Sequence, residues 1–289
     1  MWLCGKGTQG MEKLIINAAL TGMVPTKADT PYIPTTPAEI AEDARRCREA
    51  GAAIVHLHAR DADGIPTWTP ARYAEILGAV AEACPDVILC VSTSGRLHKE
   101  FAQRSAVLDC QAPKPEMASL TLGSMNFARE PSMNSPEMIR SLAERMKERD
   151  IVPECEVFEV GMAEYMRYLA DREILAGPFY ANILLGSLGT LRATRENLDL
   201  CVRALPEGTV WAVAGIGRFQ EDASELALSA GGHVRIGLED NIWYDRERTR
   251  KARNAELVER VERRAAELGR DVASPAEARR IIGLPDPLR

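Results

Sequence analysis

The chain has 289 residues, 46% of them hydrophobic, and a formal net charge of −6. That length supports one large barrel or two ordinary domains, and the negative balance excludes a surface built for non-specific nucleic-acid binding. The seven cysteines, at 4, 47, 84, 90, 110, 155 and 201, are scattered and form no C-x-x-C pair, which excludes a disulfide framework and a thiolate zinc site and suits a reducing cytosol.

Residues 1–10 lack the apolar core of a signal peptide and read as an extension, with either Met1 or Met11 as the functional start. Eight apolar runs follow, at 14–21, 52–58, 87–93, 117–122, 152–158, 180–185, 210–216 and 234–238. Between them the pattern predicts helices over 37–50, 70–83, 97–109, 136–149, 162–175, 195–204 and 219–229, and a long charged helix over 246–268 after the last strand. Thr36-Pro37 with Glu39, Thr69-Pro70, and Ser135-Pro136-Glu137 are helix-start signals, with proline at the first helical position. Strand runs apolar on both faces suit a parallel sheet covered by helices. Eight unbroken β-α units predict an α/β fold, a single closed (β/α)8 TIM barrel over 11–272. A doubly wound sheet is the alternative, but it needs a Gly-rich first turn. Residues 273–289 read as a helical tail packed on the barrel or on a neighbouring subunit. No apolar run reaches the roughly 18 residues of a membrane span, so a cytoplasmic protein without membrane or nucleic-acid partners is expected.

Reactive groups in such barrels lie at the C-terminal ends of the strands, and polar residues gather there. The second strand ends His56-Leu57-His58, two of only four histidines. Positions i and i+2 of a strand share a face, so both imidazoles can reach one metal ion. The third strand ends at Ser92, and the fourth carries Ser119, Thr121 and, just beyond, Asn126. The fifth carries Glu154 and Glu156, and the eighth runs from Arg235 to Glu239 and Asp240. Two imidazoles and one carboxylate make a common catalytic zinc set. Glu239 is the expected third ligand, because the eighth strand of a closed barrel adjoins the first. Asp240 is then a free carboxylate beside a Lewis acid, a natural general base. Arg235 shares the inward face and could clamp a substrate carboxylate. The competing readings are hydrogen-bonded core histidines, a solvent-facing turn carboxylate, a barrel-mouth salt bridge and ordinary turn hydroxyls. The glycine loops at 186–190 and 215–217 could approach a phosphate, but neither is a P-loop or a complete dinucleotide fingerprint.

From about Met11 to Gly283 the chain resembles the β-keto acid cleavage enzymes. The motifs are Ala18-Ala19-Leu20-Thr21-Gly22, Val55-His56-Leu57-His58-Ala59-Arg60, Lys114-Pro115-Glu116-Met117-Ala118-Ser119-Leu120, Trp211-Ala212-Val213-Ala214-Gly215-Ile216-Gly217-Arg218 and Gly231-Gly232-His233-Val234-Arg235-Ile236-Gly237-Leu238-Glu239-Asp240-Asn241. The resemblance implies a zinc-dependent (β/α)8 barrel, oligomeric and by expectation a homotetramer. It also implies an acyltransferase that turns a β-keto acid and acetyl-CoA into acetoacetate and a new acyl-CoA. His56, His58 and Glu239 fall on the family's zinc ligands, Asp240 on its base and Arg235 on its catalytic arginine. Ser92 falls on a serine that works with the base, and Ser119 replaces a threonine while keeping the hydroxyl.

Two departures bear on the substrate. Val24 stands where the aminohexanoate-cleaving members have a glutamate that holds an amino group, and Thr121 replaces an asparagine. Both point to a keto acid with an uncharged or apolar tail, with Asn126 as a further substrate contact. The rival readings are a barrel zinc hydrolase of amidohydrolase type, a CoA-independent metal-dependent aldolase or lyase, and a non-catalytic sensor with structural zinc.

Overall fold

A computed structural model describes residues 12–127 and 130–285. The expected extension 1–10 and Met11 lie outside the described residues, as do 286–289. The first strands are β1 (Ile16–Ala19), β2 (Ile54–Leu57), β3 (Ile88–Val91) and β4 (Met117–Thr121). A small antiparallel pair follows, β5 (Met125–Asn126) with β6 (Pro131–Ser132). The series ends with β7 (Val152–Val157), β8 (Tyr180–Leu185), β9 (Val210–Gly215) and β10 (His233–Ile236). All but β5 and β6 pair in parallel around one closed barrel, and β10 closes onto β1 with Arg235 opposite Asn17. The closure follows from the repeated β-α unit, since each crossover helix covers the strand pair it joins.

The helices are α1 (Pro37–Glu49), α2 (Pro70–Ala83), α3 (Phe101–Ser105), α4 (Pro136–Glu148), α5 (Val160–Asp171), α6 (Arg195–Ala204), α7 (Gln220–Ala230), α8 (Asn254–Glu267) and α9 (Pro275–Ile282). The Thr36 and Ser135 hydroxyls cap α1 and α4, and Glu39 completes a capping box on α1. Thr69 precedes Pro70 as expected but makes no side-chain cap bond.

Two helix expectations are corrected. The span 97–109 holds only α3 and a 3-10 turn, Ala106–Asp109, because a reciprocal Glu100–Gln103 box starts the helix late. The charged run before α8 is a loop. The Asp245 carboxylate accepts from the Thr249 and Arg250 amides at 2.8 Å each, and Arg248 takes a left-handed φ of 60°. A side chain that claims backbone donors this way competes directly with helix.

The barrel interior is graded from apolar to polar. At the N-terminal ends of the strands, Ile15, Ile54, Ile88, Met117, Val152, Tyr180 and Ala212 pack together, and Ala278, Ile282 and Leu284 of the tail close that end. The next inward positions are Asn17, His56, Cys90, Glu154, Asn182 and Arg235, all buried. Outward-facing Val55, Leu57, Leu89 and Val91 join Ile40, Ala44, Ile76, Leu77 and Val80 of the helices in the core that surrounds the barrel.

The tail therefore belongs to this barrel. Arg279 of α9 donates to Glu116 at 2.6 and 2.7 Å, and to the Asp86 and Val87 carbonyls at 2.8 and 3.3 Å. Arg279→Ala leaves a shielded carboxylate and two carbonyls without donors. It is expected to lower unfolding stability by about 3 kcal/mol. Urea denaturation checks this, and a loss under about 1 kcal/mol would show that the tail is not tied in this way.

Candidate active site

β2 delivers His56 and the residue two beyond it, His58, to the inner face, where both are buried. Their Nε2 atoms lie 3.3 Å apart. Glu239, just past β10, places Oε1 at 3.3 Å from His58 Nε2 and 3.9 Å from His56 Nε2. A tetrahedral ion with ligands at about 2.0–2.1 Å has ligand–ligand edges of about 3.3 Å, so the triangle fits a metal. Glu239 Oε2 is buried with no protein partner, as expected of a ligand oxygen meant for a group other than the protein itself.

The tautomer of His56 is set from behind. Its Nδ1 donates to Glu154 Oε2 at 2.7 Å, which turns the Nε2 lone pair toward His58 and Glu239. Glu154 Oε1 in turn accepts from Asn17 Nδ2 at 2.6 Å and Asn182 Nδ2 at 2.7 Å. Burial opposes charge on Glu154, yet His56 and Arg235 outweigh it and hold the pKa at about 2. Burial likewise opposes charge on His56, and Glu154 and Glu239 overcome it, leaving the pKa raised. For His58 burial prevails and the pKa is lowered, which favours the neutral imidazole a metal requires.

A second grouping, His56, Cys90 and Glu154, lies deeper. It makes a poor metal site. Glu154 already serves three donors, and burial together with Glu154 pushes the Cys90 thiol well above its ordinary range, whereas a metal needs thiolate.

The turn that carries Glu239 is tightly held. The Glu239 amide donates to Ala19 O at 3.2 Å, Leu238 N to Asn254 Oδ1 at 2.7 Å, and Gln220 Nε2 to Gly237 O at 2.8 Å. Asn254 at the start of α8 also donates to Leu20 O at 3.0 Å. Gly22, at φ +66°, faces Glu239 so closely that a Cβ there would lie 2.6 Å from Glu239 Cγ. Any side chain at that position would displace the ligand.

Arg235 occupies the centre of the remaining charge. Nη2 donates to Glu239 Oε1 at 2.6 Å and Nε to Asp240 Oδ2 at 3.1 Å, while Nη1 lies 3.5 Å from Glu156 and 3.6 Å from Glu154. The guanidinium is 1% exposed. Its nitrogens thus face protein carboxylates, where the sequence suggested a clamp for a substrate carboxylate. Burial acts most strongly on Asp240 and raises its pKa; Arg235 pulls it down, and Glu239 adds to the rise. Glu156 is raised for the same first reason, its burial.

These groups floor a cavity of ≈ 650 Å³ at the C-terminal face of the barrel. Among the residues expected at the substrate, Val24, Ser92 and Thr121 line it. Thr121 donates to Glu156 Oε2 at 2.6 Å, and Ser92 Oγ accepts from the Ser94 amide at 3.2 Å. Two others stand apart. Ser119 is buried, its hydroxyl accepting from Thr93 N at 3.2 Å behind the wall. Asn126 is exposed on β5, while its neighbours Met125 and Phe127 line the cavity. Alternation along a two-residue strand turns Asn126 outward.

The sequence reading gave no role to Glu154, Asn17, Asn182 or Arg60. Arg60 donates to Gly22 O at 2.8 Å and Pro25 O at 2.9 Å, fixing the loop that presents Val24. A buried carboxylate on the inward parity of the fifth strand was the available signal for Glu154.

The model of the beta-keto acid cleavage enzyme family matches residues 13–284. The chain belongs to that family. The 3-keto-5-aminohexanoate cleavage enzyme of Fusobacterium nucleatum is 40% identical over 275 residues, covering 95% of this chain and 99% of that protein. The 3-oxoadipate:acetyl-CoA acetyltransferase of Cupriavidus necator is 37% identical over 278 residues, at 95% and 96% coverage. Among solved structures, apo ObcA superposes with a TM-score of 0.77 at 23% identity, over 89% of this chain and 66% of that one, a likeness of fold. The enzyme thus shares its family with proteins that act on β-keto acids. The binuclear hydrolase reading loses support on geometry as well. His233 lies at the base of the barrel, its Nδ1 accepting from Ile15 N at 3.0 Å.

Glu154→Gln keeps the shape but loses the charge and one of two acceptor oxygens; with its amide oxygen held by Asn17 and Asn182, its NH2 faces His56 Nδ1 in place of an acceptor. Divalent-metal affinity is expected to fall roughly 10–100-fold, as measured by competition with a chromogenic chelator. Unchanged affinity would show that Glu154 is not what aims the imidazole.

Proposed function

We propose that the enzyme binds zinc through His56, His58 and Glu239 and exchanges acyl groups between a β-keto acid and acetyl-CoA, yielding acetoacetate and a new acyl-CoA. The observation that carries this reading is the triangle of two imidazole nitrogens and one carboxylate oxygen with Asp240 beside it. Two nitrogen ligands and one oxygen suit zinc and leave a position open for substrate. The Cupriavidus relative, named for its acetyl-CoA acetyltransferase activity, supports the co-substrate. Bound at the triangle, zinc supplies Lewis acidity that makes the C2 protons of a keto acid easier to remove.

The chain's own residues supply the rest. Asp240 takes the C2 proton onto its carboxylate, and its raised pKa brings it closer to neutral pH, where a base exchanges protons most efficiently. Arg235 fixes that carboxylate through Nε and offsets the negative charge gathering on the cavity floor. Ser92 lines the cavity wall and offers a hydroxyl that could orient the base or the substrate. The lip accommodates the substrate's tail: Val24 and Leu188 are 50% and 66% exposed, and Phe127, Ile242 and Trp243 complete an apolar rim. A tail without positive charge fits this rim.

No helix is long and apolar enough to cross a membrane among the described residues. The described cysteines are all unpaired and buried, which supports a reducing, cytoplasmic setting. The family resemblance is the ground for reading the enzyme as a homotetramer; a monomer in sedimentation velocity would contradict that assembly.

Asp240→Asn is expected to cut turnover by roughly 10²–10⁴-fold while elemental analysis finds the metal content of the parent. Turnover within about threefold of the parent would remove Asp240 as the base. Across a panel of β-keto acids with acetyl-CoA, read by the acyl-CoA product, uncharged tails are expected to give the highest kcat/KM. Preference for an ammonium tail would overturn the part assigned to Val24.

A further inference from the structure

Beside the cavity mouth lies a second hollow of ≈ 420 Å³, lined by Ile216, Gly217 and three arginines, Arg218, Arg246 and Arg248. It shares Gly186, Ile216, Gly217 and Arg248 with the active-site cavity, so the two lie side by side along one wall. In a chain of net charge −6, three arginines around one hollow are a local reversal of sign. Many surface arginines are paired: Arg45 with Glu42, Arg48 with Asp86, Arg264 with Glu225. In the hollow, Arg246 reaches Asp222 at 3.2 Å, but Arg218 and Arg248 make no ion pair among the described residues. Arg218 stands 5.1 Å over the Phe219 ring.

The backbone holds these guanidiniums in place. Arg248 adopts φ 60° at the tip of the loop that Asp245 ties down, an unfavourable conformation for a long side chain. Its Nη2 leans over Gly217, where a Cβ would lie 3.8 Å away. Gly217 itself has φ +61° and donates its amide to Asp240 O at 2.8 Å, joining the hollow to the catalytic turn. The loops after the seventh and eighth strands, with a short extra helix, are where (β/α)8 barrels hold phosphate groups. Here those loops follow β9 and β10, and the short helix is the 3-10 turn Gly217–Phe219.

We propose that Arg218, Arg246 and Arg248 form an anion subsite for the nucleotide phosphates of a CoA thioester, leaving the acyl arm to run down the shared wall to Asp240. The assignment rests on the acyl exchange with acetyl-CoA proposed above. Planar, permanently charged guanidiniums suit phosphate oxygens. The carboxylate of a β-keto acid is bonded to C2, so with C2 at Asp240 it lies inside the cavity and cannot occupy this outer hollow.

The test compares acetyl-CoA with acetyl-pantetheine, which has the thioester and arm but no nucleotide phosphates. In Arg218→Ala/Arg248→Ala, the ratio of kcat/KM for acetyl-CoA to that for acetyl-pantetheine is expected to fall at least tenfold. Arg48→Ala, which pairs with Asp86 at the end of the barrel that the tail closes, should keep the parental ratio. In parallel, calorimetry measures binding of the nucleoside 3′,5′-bisphosphate left when the phosphopantetheine arm of CoA is removed; the parent binds it and the double variant binds at least tenfold more weakly. An unchanged ratio with unchanged bisphosphate binding overturns the subsite. If the parent consumes no acetyl-CoA with any keto acid, the exchange reading fails, and bisphosphate binding lost in the double variant still supports the subsite.

Discussion

One buried guanidinium organises the floor of the barrel. Arg235 meets Glu239, Asp240, Glu156 and Glu154 within 3.6 Å in a space that water barely reaches. Charges removed from water are costly unless paired and hydrogen-bonded, and removing one partner exposes the others to mutual repulsion. Four carboxylates around one arginine are more negative charge than it offsets. Protonation relieves part of the excess, and burial raises the pKa of Asp240 and Glu156 accordingly. Glu154 and Glu239 are held low, and Glu239 points its charge at two imidazoles. The proposed divalent ion at that corner would offset more of the excess. The same arrangement separates two adjacent residues: the Glu239 carboxyl is held well below the usual range by the imidazoles and Arg235, while burial raises Asp240.

The scaffold matters because this chemistry tolerates little displacement. Glu239 and Asp240 lie on a turn, yet Ala19, Gln220, Asn254 and Gly217 each hold it by a hydrogen bond. Behind His56, a line of side-chain bonds runs from Asn17 and Asn182 through Glu154. The floor is thus rigid on every side. The rim is the opposite, with Val24 and Leu188 on loops and largely in solvent. On the proposed function, the floor carries the reaction and the rim the choice of substrate, a division that suits a family whose members act on different keto acids.

Much of this was legible from the residues. Eight apolar runs separated by capped amphipathic stretches leave little room for any fold but a closed barrel. The His-Leu-His spacing placed both imidazoles on one face by strand periodicity alone, and Glu239 followed from barrel closure. Local patterning failed where a single side chain overrides it. Residues 246–253 carry helix-compatible charge, but the Asp245 carboxylate takes the amides a helix would use. Position along a strand end did not separate Thr121, which reaches the cavity, from Ser119 behind its wall. Glu154 was visible as a carboxylate in a strand, but its role depends on a residue 98 positions away. Arg235 looked free for substrate because Glu239 and Asp240 nearby were assigned to the metal and the base, and Glu154 and Glu156 reach it from the distant β7.

The claim on which the rest depends is that His56, His58 and Glu239 hold a divalent ion. X-ray diffraction from crystals of the purified enzyme, recorded on both sides of the zinc absorption edge, tests it directly. The account predicts one anomalous peak about 2.0–2.2 Å from His56 Nε2, His58 Nε2 and a Glu239 carboxylate oxygen. A peak between His56 Nδ1, Cys90 and Glu154, or no peak in a fully active preparation, would contradict it.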